Sequence, residues 1–151
     1  MITQQEFEAI LSDATKRIEG DLRWGDDEDH SPAQEFRVRV LSEPGWPLMV
    51  IGWWNPRSRK LSYVLRHDAA GRILGLDLGP VVHRNPSSQR LEGTHKHRWS
   101  AEFRDKEAYV PDDITAQWDQ PVEVWTQFCS ETGIAHEGRL DSPTAQEELP
   151  L

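Results

Sequence analysis

The segment Gly93-Thr94-His95-Lys96-His97-Arg98-Trp99 brings two imidazoles and two cations together in one short run. An imidazole titrates near neutrality, so a pair can take and give a proton, while Lys and Arg can stabilise an anion beside them. In an extended segment residues two apart share a face, so His95 and His97 point one way and Lys96 and Arg98 the other. With His83 from the preceding segment, the expected chemistry is general acid and general base catalysis on a phosphodiester. Lys96, Arg98, Arg84 and Arg90 would hold the phosphate, with Arg57, Arg59 and Lys60 as further cations. On RNA the substrate's own 2′-hydroxyl would be the nucleophile, so this chemistry needs no metal and no other cofactor.

Two other uses of the same residues compete with that one. His95-x-His97 followed by Glu102 has the H-x-H-x4-E spacing of the first cupin motif, and a two-histidine, one-carboxylate set suits iron, manganese or nickel. The positions where that motif places glycines hold Gln89 and Tyr109, and no later glycine-rich histidine motif follows. The second alternative is that both histidines are ordinary hydrogen-bonding groups on a polar strand.

The elements that position these residues follow from the hydrophobic period. Thr3 with Glu6 forms a capping box, and Phe7, Ile10, Leu11, Ala14 and Ile18 recur at helical spacing, so a helix is expected over 3–19, closed by Gly20. The acidic run 25–32 reads as a solvated loop, because its carboxylates lack the spacing of a calcium loop. From residue 34 the period becomes two. Strands are expected near 34–40, 48–54, 60–66 and 72–78, joined by short links rich in Pro, Gly, Asn and Asp, which implies an antiparallel meander. Residues 83–93 read as a polar loop leading to His95. A final helix near 121–132 starts at Pro121, stops at Gly133 and carries Val122, Trp125, Phe128 and Cys129 on one stripe. The expected class is therefore α+β: an N-terminal helix, a four-stranded or five-stranded antiparallel meander, and a C-terminal helix packed on one sheet face. Residues 1–140 form a single domain in this reading and 141–151 an acidic, flexible tail. Trp53 and Trp54 are adjacent and must face opposite sides of a strand, which makes one of them a candidate recognition residue.

Composition narrows the setting. The net charge is −9, yet 1–35 carries −7, 36–110 carries +6 and 111–151 carries −8. A basic middle lies between acidic ends, which are expected to cover it or to face a basic partner. The single cysteine, Cys129, cannot form an internal disulfide and reads as a buried structural thiol. No basic patch precedes an apolar run at the N-terminus, and the longest apolar run, Leu48 to Trp54, is too short to span a bilayer. A soluble, cytoplasmic protein without a membrane partner is the expectation; the oligomeric state is open.

Leu61-Ser62-Tyr63-Val64-Leu65, Asp68 to Gly71, Arg72-Ile73-Leu74-Gly75-Leu76-Asp77, a proline-containing loop and His95-Lys96-His97 resemble the layout of TumE-type toxins of bacterial toxin–antitoxin pairs. The resemblance covers about residues 60–98. The remainder, including Tyr109-Val110-Pro111-Asp112-Asp113-Ile114, resembles uncharacterised small phage and prophage proteins. The resemblance to TumE-type toxins implies RNA cleavage or another block on translation, with RNA or a cognate protein as partner. The rival class is a non-enzymatic acidic inhibitor from a mobile element, of anti-CRISPR or anti-restriction type. Asp112, Asp113, Asp119, Glu147 and Glu148 would there present phosphate-like charge to a host defence nucleoprotein complex.

Overall fold

The computed structural model describes residues 1–143. Helix α1 spans Gln4–Ser12, and its cap is the Thr3 side chain, which accepts from the Glu6 N–H at 3.0 Å. Phe7 and Ile10 are its buried residues. The helix ends well before residue 19. Asp13 accepts hydrogen bonds from the Thr15 N–H and hydroxyl at 2.8 and 2.7 Å, a local turn that competes with helix continuation. The Lys16 ammonium then folds back to donate to the carbonyls of Ile10 and Leu11 at 2.5 and 3.0 Å, satisfying the open helix end. Ile18 keeps a core position, fully buried, but on strand β1 (Arg17–Glu19) rather than on the helix.

Strands β2 (Gly25–Asp26), β3 (Gln34–Val40), β4 (Leu48–Asn55), β5 (Lys60–His67) and β6 (Gly71–Leu78) come next. The hairpin β7 (Val82–Arg84) and β8 (Arg90–Glu92) stands where a polar loop was expected. It leads to β9 (His95–Arg98) and β10 (Ala108–Tyr109). The main sheet is antiparallel throughout and has seven strands, ordered β10-β9-β6-β5-β4-β3-β2. The expected meander β3 to β6 forms its middle. The four-stranded or five-stranded count fell short because β9, β10 and β2 are too short to show a period. Part of the acidic run 25–32 is ordered as β2 and a 3-10 turn at Glu28–His30. Helix α2 (Pro121–Thr132) closes at Gly133 with φ 68°, a left-handed cap that favours glycine. Strand β11 (Ala135–Glu137) then pairs with β1 in parallel.

Burial alternates along the central strands and gives the sheet two unlike faces. On one face Leu48, Val50, Trp54, Leu61, Tyr63, Leu65 and Leu76 join Phe7 and Ile10 of α1 and Val124, Trp125 and Phe128 of α2 in a single core. The buried stripe of α2 contains Val124 where Val122 was expected. The Tyr63 hydroxyl donates to the Pro121 carbonyl at 2.6 Å, tying helix to sheet. Gly52 makes room for Phe36: a Cβ there would stand 2.2 Å from the Phe36 ring. The opposite, open face carries Arg37, Arg39, Met49, Ile51, Trp53, Ser62, Val64 and Arg66, all half-buried or exposed. Trp54 thus belongs to the core and Trp53 to the open face. Cys129 is buried among apolar groups, which pushes its thiol up to about 12. Among the described residues no helix is long and apolar enough to cross a membrane.

Candidate functional site

Strand β9 sorts its residues by parity. His95 and His97 lie on the open face, opposite Asp77 and Gly75 of β6, whereas Lys96 lies on the core face beside Leu76. The two rings are 5.0 Å apart between centroids. His83 reaches them from the β7–β8 hairpin, 5.4 Å from His95 and 4.6 Å from His97. One ring nitrogen from each histidine lies within 4.8 Å of the others. The hairpin is held over the sheet by Asn85, whose amide donates to the Ala108 carbonyl and accepts from the Ala108 N–H, both at 2.8 Å.

Each imidazole spends one nitrogen on a backbone carbonyl. His83 Nε2 meets Lys106 O at 2.7 Å, His95 Nδ1 meets Gly93 O at 2.9 Å, and His97 Nδ1 meets Asp105 O at 2.8 Å. A carbonyl can only accept, so these nitrogens carry the hydrogens. The other nitrogens of His95 and His97, both Nε2, face Oδ2 of Asp77 at 3.4 and 3.5 Å. Burial alone would push Asp77 up, but hydrogen bonds from His95 and His97 outweigh it and hold the carboxylate well below the usual range. Burial pulls His95 down, yet the hydrogen bond and charge of Asp77, with the Gly93 carbonyl, leave it raised.

Arg72 completes the cluster. Its guanidinium lies 3.9 Å from Asp77, 3.3 Å from His97 Nδ1 and 3.3 Å from the Asp105 carboxylate. Gly75 permits that path, because a Cβ there would stand 2.8 Å from Arg72 Cδ. Asp77 and Arg72 belong to the same cluster, and the sequence argument had not named them among its candidates. The available signal was the two-residue period of β6, which sets Asp77 and Gly75 on the polar side of an otherwise apolar strand.

The expected phosphate-holding residues separate in space. Lys96 is 2% exposed and its ammonium is paired with Asp113 at 2.6 Å and Glu131 at 2.5 Å, on the opposite face from the histidines. That removes Lys96 from the anion-binding set. The reason is the strand alternation itself: facing away from the imidazoles means facing the core. Arg98, also on that side, stacks over the Phe7 ring at 5.4 Å. Arg84 donates to Ser88 O within the hairpin, and Arg90 pairs with Glu92 at 3.1 Å. Arg57 and Arg59 are exposed in the β4–β5 turn, and Lys60 shares the open face with Ser62. Glu102 is exposed and outside the histidine cluster. Of the acidic candidates, Asp112 is exposed, Asp113 holds Lys96, and Asp119 lines a cleft of about 770 Å³ with Asp21, Glu123 and Asp141. Glu147 and Glu148, like the rest of the expected tail beyond 143, lie outside the described residues.

The arrangement offers three imidazoles, a carboxylate and a guanidinium at one end of the sheet face, beneath the β7–β8 hairpin, with His95 and His97 only 3% and 4% exposed. Such a set can bind a cation, pass a proton or polarise an anion. No curated protein and no solved structure matches the chain. One family model does match, over residues 2–134, a span that takes in the whole cluster and both helices, and the chain accordingly belongs to the family of unknown function DUF6978.

Proposed function

We propose that this protein is RNA-directed and toxin-like, with the His83–His95–His97–Asp77 cluster as its working centre and the open sheet face as the strand's path. The observation that carries the reading is that the cluster shares its face with cations that have no carboxylate partner among the described residues: Arg37 and Arg66, and Lys60 beyond Ser62. Trp53, Ile51 and Val64 lie between them, half-buried. Arginines interleaved with an aromatic and apolar surface suit a single strand, whose phosphates and bases they engage separately. The layout of residues 60–98 supports the toxin-like assignment through its resemblance to TumE-type proteins. In the metal-free form of the chemistry, His95 and His97 exchange protons with the substrate while Arg72 faces the phosphate.

The test is binding of a fluorescein-labelled single-stranded RNA followed by anisotropy across a salt series. Each phosphate contact contributes about 0.7 to the slope of log K against log salt, so Arg37→Gln with Arg66→Gln lowers that slope by about 1.4. An unchanged slope, or no RNA binding by the native protein, sinks the reading. A second reading, the acidic inhibitor, is favoured by the cleft that Asp21, Asp119, Glu123 and Asp141 line. Its partner is a host defence nucleoprotein complex. Neutralising Asp112, Asp119, Glu147 and Glu148 then weakens that binding, while His95→Ala with His97→Ala leaves it nearly intact. Asp113 is kept out of the set because it holds Lys96.

A further inference from the structure

We propose that His83, His95, His97 and Asp77 bind one divalent transition-metal ion of the zinc type, in a four-coordinate site on the open face. The proposal takes from the preceding reading only that this cluster is the working centre; it does not depend on RNA as the substrate.

The argument begins with hydrogen atoms. A neutral imidazole has one N–H and one lone-pair nitrogen. In all three rings the N–H is committed to a backbone carbonyl: Lys106, Gly93 and Asp105 accept from His83, His95 and His97 in that order. For His95 and His97 the remaining lone pairs, on Nε2, face one carboxylate oxygen, Oδ2 of Asp77, at 3.4 and 3.5 Å. With both rings neutral, three acceptors therefore converge with no hydrogen between them, and a hydrogen bond from either ring to Asp77 forms only when that ring takes a second proton. Buried acceptors facing one another are unfavourable unless something positive sits in the gap. A proton on one imidazole relieves one contact; a metal ion relieves all of them.

Distances agree with the larger guest. Zinc binds imidazole nitrogen at about 2.0–2.1 Å and carboxylate oxygen at about 2.0–2.2 Å, so a tetrahedron of such ligands has edges of roughly 3.3–3.5 Å. The two Asp77 contacts are already at that edge length. One ring nitrogen of His83 is within 4.8 Å of a nitrogen of each of the other two, and a movement of the separate hairpin that carries His83 closes the site. Carbonyls that orient the non-ligating nitrogen are the usual outer partners of metal-bound histidine. Three nitrogens and one oxygen suit zinc or cobalt better than calcium or magnesium, which take oxygen shells. Arg72, the one cation of the cluster, is paired with Asp105 at 3.3 Å. A dication held by three neutral imidazoles and the one Asp77 carboxylate leaves the ion and its ligands with a net positive charge, which offsets the cost of burying that carboxylate.

The experiment uses the tag-free full chain, stripped with a chelator and titrated with Co²⁺ while visible absorption is recorded, then back-titrated with Zn²⁺. The expected result is one equivalent of cobalt with the intense bands of four-coordinate geometry, displaced by zinc, and a higher melting temperature with zinc present. Asp77→Asn and His83→Gln each weaken cobalt binding by roughly 10–100-fold or more. His83→Gln is the decisive variant, because His83 sits on the hairpin outside the core and its loss leaves the far-UV circular dichroism spectrum unchanged. No saturable uptake by the native chain, or equally tight uptake by His83→Gln, overturns the proposal. Stoichiometric metal without RNA binding upholds the site and removes only the RNA reading. RNA binding without metal uptake does the reverse.

Discussion

Replacing Lys96 by Met separates a structural role from a catalytic one. The ammonium is 2% exposed and lies 2.6 Å from Asp113 and 2.5 Å from Glu131. Burial lowers its pKa, but the hydrogen bonds to both carboxylates more than compensate, so the group is held charged above its ordinary value. Removing one partner of a fully buried ion pair costs about 3–5 kcal/mol, because an uncompensated charge is left behind. The carboxylates here are not fully buried: Glu131 is 19% exposed and Asp113 is 47% exposed. Screening at Asp113 reduces its share to about 0–1 kcal/mol, whereas Glu131 retains most of the buried-pair penalty. The net loss is therefore about 2–3 kcal/mol, because Met preserves the aliphatic packing of the Lys stem. For a chain of this size that corresponds to a melting-temperature drop of roughly 4–12 °C, read by urea or thermal denaturation. Adding Glu131→Gln to Lys96→Met should recover much of the loss, since the orphaned charge is then gone. Cobalt affinity and the RNA salt slope stay at native values, because Lys96 faces away from the histidines. A loss below about 0.5 kcal/mol refutes the energetic argument, and a fall in RNA affinity with stability intact refutes the assignment of faces.

Three further outcomes can be checked with simple measurements. Cys129, with its thiol pushed up to about 12 by burial, resists thiol reagents at pH 8 in the folded state and reacts promptly in denaturant. Tyr63→Phe removes the hydroxyl bond to Pro121 and costs about 1 kcal/mol in urea unfolding, with no change at the open face. Asp13 is lowered by its hydrogen bonds from Thr15 and Asp27 by its bond from the Trp53 indole, so their stabilisation is present above the unfolded carboxylate value of 3.8. It is lost as pH falls through their lower folded values, and Asp13→Asn should flatten the acid limb of a stability–pH curve.

The middle of the sheet is legible in the sequence because β3 to β6 are long enough to display alternation and are joined by unmistakable turns. The end of α1 is harder to read. Ala14 and Ile18 keep helical spacing although the chain has already turned at Asp13, and only the Asp13–Thr15 and Lys16 side chains decide the matter. The strands β9 and β10 owe their existence to neighbours distant in sequence, so local propensity could not announce them. For the site, the shared face of His95 and His97 follows from spacing alone. The arrival of His83 depends on the Asn85 clamp, and the entry of Asp77 and Arg72 depends on the β6–β9 register. Lys96 reads in sequence as a phosphate-holding cation and is buried for the complementary reason: alternation says where a residue points, not whether that side is wet.

The alternation of β9 has a consequence for fidelity. Sliding this strand by one position against β6 would drive two imidazoles among Leu76, Tyr63 and their neighbours and strand an ammonium in the cage of carbonyls and carboxylate. Neither misplacement is tolerable, so errors of assembly in the outer half of the sheet are rejected twice, once by oil and once by charge. A chain that has acquired its reactive groups has therefore also certified its own packing.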